Sequence, residues 1–356
     1  MLTIVPTIDT EGMHGSRPFE QFILGQVDGS SEEWGAYRIA DICAANGAPA
    51  TFFVDVYEYT FWGIDRMRDL CRGLVDRGFD VQLHTHPGWR DDPHDFLALR
   101  QLKREKSYLS PEQDFMAKLP LDRQVEVLEH GLSLIEDWTG VRPVAHRSGG
   151  YSINADTVAA MRQVGIELDS SMHWGHAHSQ LTWSRNAVVE RDGLLELPVT
   201  LMDYCFRLPG AGTIYRKSMK TDLDSCTLDE LVAYVNAASA SGVTLMNLFM
   251  HSYSLLDFDQ DYRRIGPDPA DAAKLDRFLA LMARRDDVRF MSCSDVLRRY
   301  CAAPDEFHGP DVVPEIAANA RIASFALAKV RNRIHEGLRR RFPVPDATNT
   351  SQSAAA

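Results

Sequence analysis

Over the first 300 residues the hydrophobic positions follow two alternating patterns. Short, almost unbroken apolar or β-branched runs occur near residues 2–8, 50–55, 79–84, 142–146, 166–168 and 243–250, with a further extended segment at 188–197 and a last run at 288–291. Between them lie longer stretches with apolar residues three or four apart: 34–46, 64–76, 122–139, 155–164, 228–240, 270–285 and 294–300. Runs of the first kind, bounded by turn residues, predict buried strands, and the second kind predicts amphipathic helices packed against them. Gly47, Gly78 and Gly140 stand where three of the helices should stop, while Thr227 with Glu230, and Ser30 or Ser31 with Glu33, are spaced as helix starts. Strands alternating with helices over short connections are the signature of parallel βα units.

The polar residues that interrupt this pattern gather at strand ends. Asp9 and Glu11 close the first run, His84 and His86 the third, Asp169 and Ser171 the fifth, and His251 follows the apolar stretch Leu245-Met-Asn-Leu-Phe-Met250. Arg147, with Gly150, Tyr151 and Ser152 behind it, closes the fourth. Function in parallel βα folds collects beyond the carboxyl ends of the strands. Residues two apart share a strand face, so His84 and His86 can converge while Thr85 turns away, and the same spacing relates Asp9 to Glu11. Neutral imidazole is the commonest metal ligand near neutral pH. Each piece also has an ordinary reading. A strand-end histidine can bond to a loop, an acid can cap a neighbouring helix, Arg147 can serve as a structural ion-pair partner, and Tyr151 can simply pack. His251 is the hardest to explain by packing, because a polar group after so apolar a run needs a partner.

Composition narrows the classes. The 356 residues are 45% hydrophobic and 25% charged, as in an ordinary globular protein. A net charge of -12 argues against nucleic-acid binding, which needs a basic face. Six cysteines without a CxxC spacing read as reduced, mostly buried thiols. With no basic leader ahead of the first strand and no apolar stretch of membrane-spanning length, a cytoplasmic location is expected.

The ordered edge motifs resemble the polysaccharide deacetylase family, which shares the NodB homology domain and carbohydrate esterase activity. Ile8-Asp9-Thr10-Glu11 is similar to its acidic motif, Ala50-Thr-Phe-Phe-Val to its second strand, His84-Thr-His86 to its histidine motif, Arg147 with Gly150-Tyr-Ser152 to its arginine motif, Asp169-Ser-Ser171 to the fourth and Phe249-Met-His251-Ser to the last. The resemblance covers about residues 2–300 and implies a distorted (β/α) barrel over 1–303. Two departures stand out. The family's acids are usually adjacent, whereas Thr10 intervenes here, and its second histidine usually falls four residues after the first, where Gly88 or Arg90 stands. The resemblance then implies a modified metal site, with Glu11, His84 and His86 as ligands to a divalent ion, zinc foremost, and Asp9 as the base, or with the two acids exchanged. It implies His251 as the acid and Arg147 as the residue that orients the base by a charge-assisted contact. The expected reaction is removal of an acetyl or acyl group from an amino sugar or related amide. Two other classes stay open: a metal-independent glycosidase using Asp9 and Glu11 as paired carboxylates, and a catalytically silent carbohydrate-binding relative.

Several segments lie around this core. Residues 90–121 are polar and irregular and read as a substrate-shaping excursion at the functional edge. His173, His176 and His178 surround Trp174 in a loop after Asp169, either as chance histidines or as a second metal cluster or groove lining; Tyr151, Trp89 and Trp174 are the candidate substrate contacts. Residues 304–356 read as an appendage: a linker over 304–314, a basic amphipathic helix over 316–342 and a disordered tail from 348. That helix, with Arg331, Arg333, Arg339, Arg340 and Arg341 beside its apolar stripe, either packs back on the acidic domain or contacts a membrane surface or partner.

Overall fold

Strand β1 (Leu2–Thr10) is buried along its whole length, and the rest of the larger unit is built out from it. The computed structural model describes residues 1–12, 19–27, 30–91, 114–208, 210, 212–258 and 265–317. Helix α1 (Ala36–Ala45) leads to β2 (Thr51–Asp55), α2 (Ile64–Asp76) to β3 (Asp80–Thr85), and α3 (Leu121–Thr139) to β4 (Ala145–Ser148). Helix α4 (Ala155–Gln163) precedes β5 (Leu168–Asp169), and α5 (Leu228–Ser241) precedes β10 (Leu245–His251). Helix α6 (Pro269–Met282), β13 (Val288–Phe290) and α7 (Cys293–Ala302) complete the series. Thr227 and Glu230 form the expected capping box on α5, and Gly140, with φ of 76°, ends α3 in the left-handed conformation that a Cβ disfavours.

Hydrogen bonding places the strands in the order β10-β1-β2-β3-β4-β5-β7-β6, where β6 is Val189–Arg191 and β7 is Leu194–Glu196; β13 also pairs with the start of β1. Every pair is parallel except β6 with β7, which makes the fold the distorted (β/α) barrel expected from the sequence. Val5, Phe53, Ala145, Leu168, Leu195 and Leu245, one from each of six strands, pack into one interior layer with Val296 and Phe307. Because the ladder is parallel, the carboxyl ends of β1, β3, β4, β5 and β10 all emerge on one rim.

Some expectations are corrected. Residues 188–197 form the antiparallel hairpin β6–β7 rather than one extended segment, turned by Asp192 and Gly193 with φ of 55° and 77°. Helix α1 starts at Ala36 behind Gly35, without a side-chain cap from Ser30 or Ser31. The stretch expected to be a linker packs on the barrel: Pro304–Phe307 is a 3-10 turn, Phe307 is buried, and Asp311 Oδ1 accepts hydrogen bonds from Ser184 and from the backbone of Arg185 and Asn186. Ile316 lies in a strand instead of opening a helix. The remainder of the expected basic helix and tail, from 318 on, and most of the excursion, 92–113, lie outside the described residues.

The described residues divide into two compact units, one drawn from 1–202 and 219–314 and the other from 203–218 with 315–317. The smaller is a three-stranded sheet of order β14-β8-β9, formed by β8 (Leu201–Leu208), β9 (Gly212–Lys220) and β14 (Glu315–Ala317). Within it Glu315 pairs with both Arg207 and Arg216. Two additional short strands, β11 (Leu256–Phe258) and β12 (Ile265–Pro267), form a separate hairpin in the larger unit. No helix among the described residues is long and apolar enough to cross a membrane. All six cysteines are free, five of them buried.

Candidate metal centre and active site

Glu11 sits one residue beyond β1 and His86 one residue beyond β3, while His84 is still within its strand. Glu11 Oε2 lies 2.8 Å from His86 Nε2 and 3.5 Å from His84 Nε2. These side chains are the group among the described residues whose donor atoms all fall within 4.8 Å of one another. The far side of each imidazole is anchored. His84 Nδ1 is 2.7 Å from the carbonyl of Arg147, which can only accept, so Nδ1 carries a proton and Nε2 faces Glu11. His86 Nδ1 is 2.6 Å from the carboxylate of Asp114, buried at the end of the excursion. A carboxylate behind a ligating histidine fixes its orientation and raises its basicity.

The charges of the site are strongly coupled. Burial would raise the Glu11 carboxyl, but the His86 charge and hydrogen bonds from His84 and His86 outweigh it and hold Glu11 well below the usual carboxylate range. Burial would likewise lower His86, but Asp114 and Glu11 hold it well above the ordinary imidazole value. Glu11 Oε2 and His84 Nε2 are buried and, 3.5 Å apart, stand at the limit of a hydrogen bond. Two imidazoles and one carboxylate with buried, converging donor atoms fit a divalent ion that keeps an open position. Gly149 contributes room: a Cβ there would run into the His86 ring.

Asp9 and Glu11 have separate partners. Asp9 Oδ1 accepts from Arg147 Nη1 at 2.7 Å, and Arg147 is fully buried inside the barrel. Its Nε donates to the Ser170 carbonyl at 3.1 Å, and Nη2 to the Thr7 and Ser170 hydroxyls at 3.0 and 2.9 Å. The Phe53 and Phe249 rings flank the guanidinium at 4.3 and 4.9 Å. Across the ladder from Asp9, His251 points its Nε2 at Glu11 Oε1, 3.9 Å away, and its Nδ1 at Asp224, also 3.9 Å away. Burial alone would lower His251; Asp224 offsets it, with Asp9 and Glu11 adding and Lys220 opposing, so its value lies above that of free imidazole. Tyr253 lies flat on the imidazole, ring centres 4.7 Å apart and 12° between planes.

The other sequence-predicted residues divide. Tyr151 is half-buried with φ of 59°, a strained conformation for a residue with a side chain, and its hydroxyl is 2.9 Å from Lys220 Nζ. Its ring meets His173 and His176, both at 4.9 Å, while His178 stacks on Phe115 at 3.9 Å. The three histidines therefore line an aromatic wall, and they do not form a triad of converging donors like the one at Glu11. Burial first, then the neighbouring imidazoles and Lys220, push His176 down to about 4. Trp174 is half-buried beneath the Arg185 guanidinium, 5.2 Å from the ring centre. Trp89 is a correction: it is 2% exposed and packs against Phe61, so it offers no open face to a sugar, because Pro87–Asp91 forms a helical turn that rotates the indole inward. Asp169 is buried too, accepting from Ser171 and lying 3.4 Å from His146, a support for the turn after β5. Sequence reasoning missed Asp114, Asp224, Lys220 and Tyr253, none of which stands in a local pattern.

Residues 28–168 match the family model described as polysaccharide deacetylase. This segment is a polysaccharide deacetylase domain. It contains His84, His86, Arg147 and Tyr151; Asp9, Glu11 and His251 lie outside it in sequence and are joined to the deacetylase domain through β1 and β10. No curated protein sequence matches the chain. Among solved structures, a candidate polysaccharide deacetylase from Mycobacterium smegmatis shares 21% identity over 79% of this chain and 81% of its own, with a TM-score of 0.49. The PuuE allantoinase shares 16% over 85% and 90%, with a TM-score of 0.44. A family 4 carbohydrate esterase from Streptomyces lividans, solved with acetate, shares 13% over 88% and 97%, with a TM-score of 0.39.

Proposed function

We propose that the protein is a metal-dependent hydrolase that removes an acetyl or related acyl group from an amino sugar or similar amide. The observation that carries this reading is the convergence of Glu11, His84 and His86 at the rim, with a carboxylate on one side and an imidazole on the other. A divalent ion held by those three residues would lower the pKa of a coordinated water and polarise the substrate carbonyl. Zinc suits a donor set of two imidazoles and one carboxylate with an open position. Asp9 would take the proton from the attacking water, and its bond to Arg147 fixes the carboxylate's orientation. His251 is the proton donor to the departing nitrogen: Asp224 behind it stabilises the imidazolium, and stacked Tyr253 limits its rotation. The wall of Tyr151, His173 and His176, neutral where burial lowers the imidazoles, is the surface against which a sugar ring would rest. Glu11 faces the histidines and Asp9 faces Arg147, which does not favour the paired-carboxylate glycosidase.

The experiment is metal analysis of the purified protein together with acetate release from a panel of N-acetylated amino sugars and small amides. His251→Ala should keep its metal and lose most turnover, whereas His84→Ala should lose both. Acetate release unchanged in His84→Ala, or as fast in chelator-stripped protein as in zinc-loaded protein, would refute the proposal.

A further inference from the structure

Glu11 lies off the end of β1, so no strand ladder holds it in place. What holds it instead comes from two neighbouring βα units. On one side Ser252, just after β10, donates its backbone N–H to the Asp9 carbonyl at 2.9 Å and its hydroxyl to the Glu11 carbonyl at 3.0 Å. On the other side Glu58, in the helical turn after β2, is fully buried. Its Oε1 accepts the Gly12 N–H at 2.6 Å and its Oε2 accepts the Trp62 indole N–H at 2.9 Å. The Glu11–Gly12 peptide is thus held at both its carbonyl and its N–H, and the Asp9–Thr10 peptide at its carbonyl, while a Cβ on residue 12 would stand only 3.0 Å from the Glu58 carboxylate, so glycine gives the two room to approach. We propose that Glu58 is a positioning residue: its carboxylate clamps the Gly12 amide and thereby aims Glu11 at His84 and His86, which lets an acid two residues after Asp9 serve as a metal ligand. The inference rests on the metal reading above. A buried carboxylate with two donors fixed on its two oxygens is a rigid clamp, because a charge-assisted bond is roughly twice as strong as a neutral one.

Hydrogen-bond geometry separates a clamp from a mere negative charge near the ion. In Glu58→Gln the amide oxygen can take the Gly12 N–H or the indole N–H, but its NH2 then faces the other donor, so the clamp is only half made. Adding Trp62→Phe removes the competing donor and leaves the amide oxygen free for Gly12. Zinc affinity, measured by competition with a chromophoric chelator on the full chain, should fall by about 10–100-fold in Glu58→Ala, the range seen when groups orienting a ligand are removed. It should fall less in Glu58→Gln, stay near wild type in Trp62→Phe, and recover in Glu58→Gln with Trp62→Phe relative to Glu58→Gln alone. Wild-type affinity in Glu58→Ala overturns the proposal, and so does a double variant no better than Glu58→Gln, which is what a purely electrostatic role predicts. The clamp is also read without metal, by hydrogen exchange at the Gly12 amide. Faster exchange in Glu58→Ala upholds the clamp even if the wild type takes up no zinc, an outcome that would refute the proposed function alone, and unchanged exchange overturns the clamp whatever the zinc result.

Discussion

Arg147 is the point where fold and chemistry are tied together, and replacing it with methionine measures how tightly. The guanidinium is fully buried, pairs with Asp9 at 2.7 Å, and donates to Thr7 and to Ser170 at both its hydroxyl and its carbonyl. Methionine fills much of the space between the Phe53 and Phe249 rings but carries no donor, so Asp9, itself 5% exposed, is left as a buried charge without its cation. Breaking a buried ion pair by removing one partner costs about 3–5 kcal/mol, mostly because the remaining charge is stranded. For a domain of this size that corresponds to a fall in melting temperature of about 5–15 °C. Adding Asp9→Asn to Arg147→Met removes the stranded charge, so the double variant should recover a large part of the loss, with a coupling of about 2 kcal/mol or more. Calorimetry of the metal-free protein reads all of this, and since Asp9→Asn removes the proposed base, none of the variants needs to be active. The reasoning is refuted if Arg147→Met melts within about 2 °C of wild type, or if Arg147→Met with Asp9→Asn melts as low as Arg147→Met alone.

Two further perturbations test the supports of the rim. Asp114→Ala removes the carboxylate behind His86 and should weaken zinc binding by about 10–100-fold, while Asp114→Asn, which keeps an acceptor for Nδ1, should lose less; chelator competition decides, and equal affinity in all three proteins excludes the role. Glu196 and Asp169 are register partners on adjacent strands, both buried, and burial first and then the Asp169 charge hold Glu196 well above 4.5. The fold therefore prefers the neutral acid: this stability is complete below the unfolded value of about 4.5 and is lost as pH rises through the raised folded value. Glu196→Gln stays neutral at every pH, so melting curves recorded from acid to alkaline pH should show wild type losing stability relative to the variant on the alkaline side; parallel curves would contradict the assignment.

What could be read from the sequence is what its periodicity indexes. Apolar runs locate the strands, and in a parallel sheet locating a strand also locates its carboxyl end, so Asp9, Glu11, His84, His86, Arg147 and His251 could be singled out before any coordinates. Residues whose partner is chosen by tertiary contact carry no such index. Glu58 sits in a short helical turn and Asp114 at the end of the excursion, and nothing local distinguishes either from a solvated acid. The β6–β7 hairpin is a different case, since Asp192-Gly193 is itself a turn signal in the sequence. The histidine spacing shows why the two kinds of information must be combined. Two residues apart in sequence, His84 and His86 can share a strand face, and their rings meet edge to face, with centres 5.0 Å apart and planes 74° from one another. They meet at one carboxylate because β3 ends between them, which releases His86 from the pleat, and because Gly149 leaves space for its ring while Asp114 pulls on Nδ1 from behind. On the proposed metal reading, the two-residue spacing is made workable by residues from two other segments, and only the folded chain shows which.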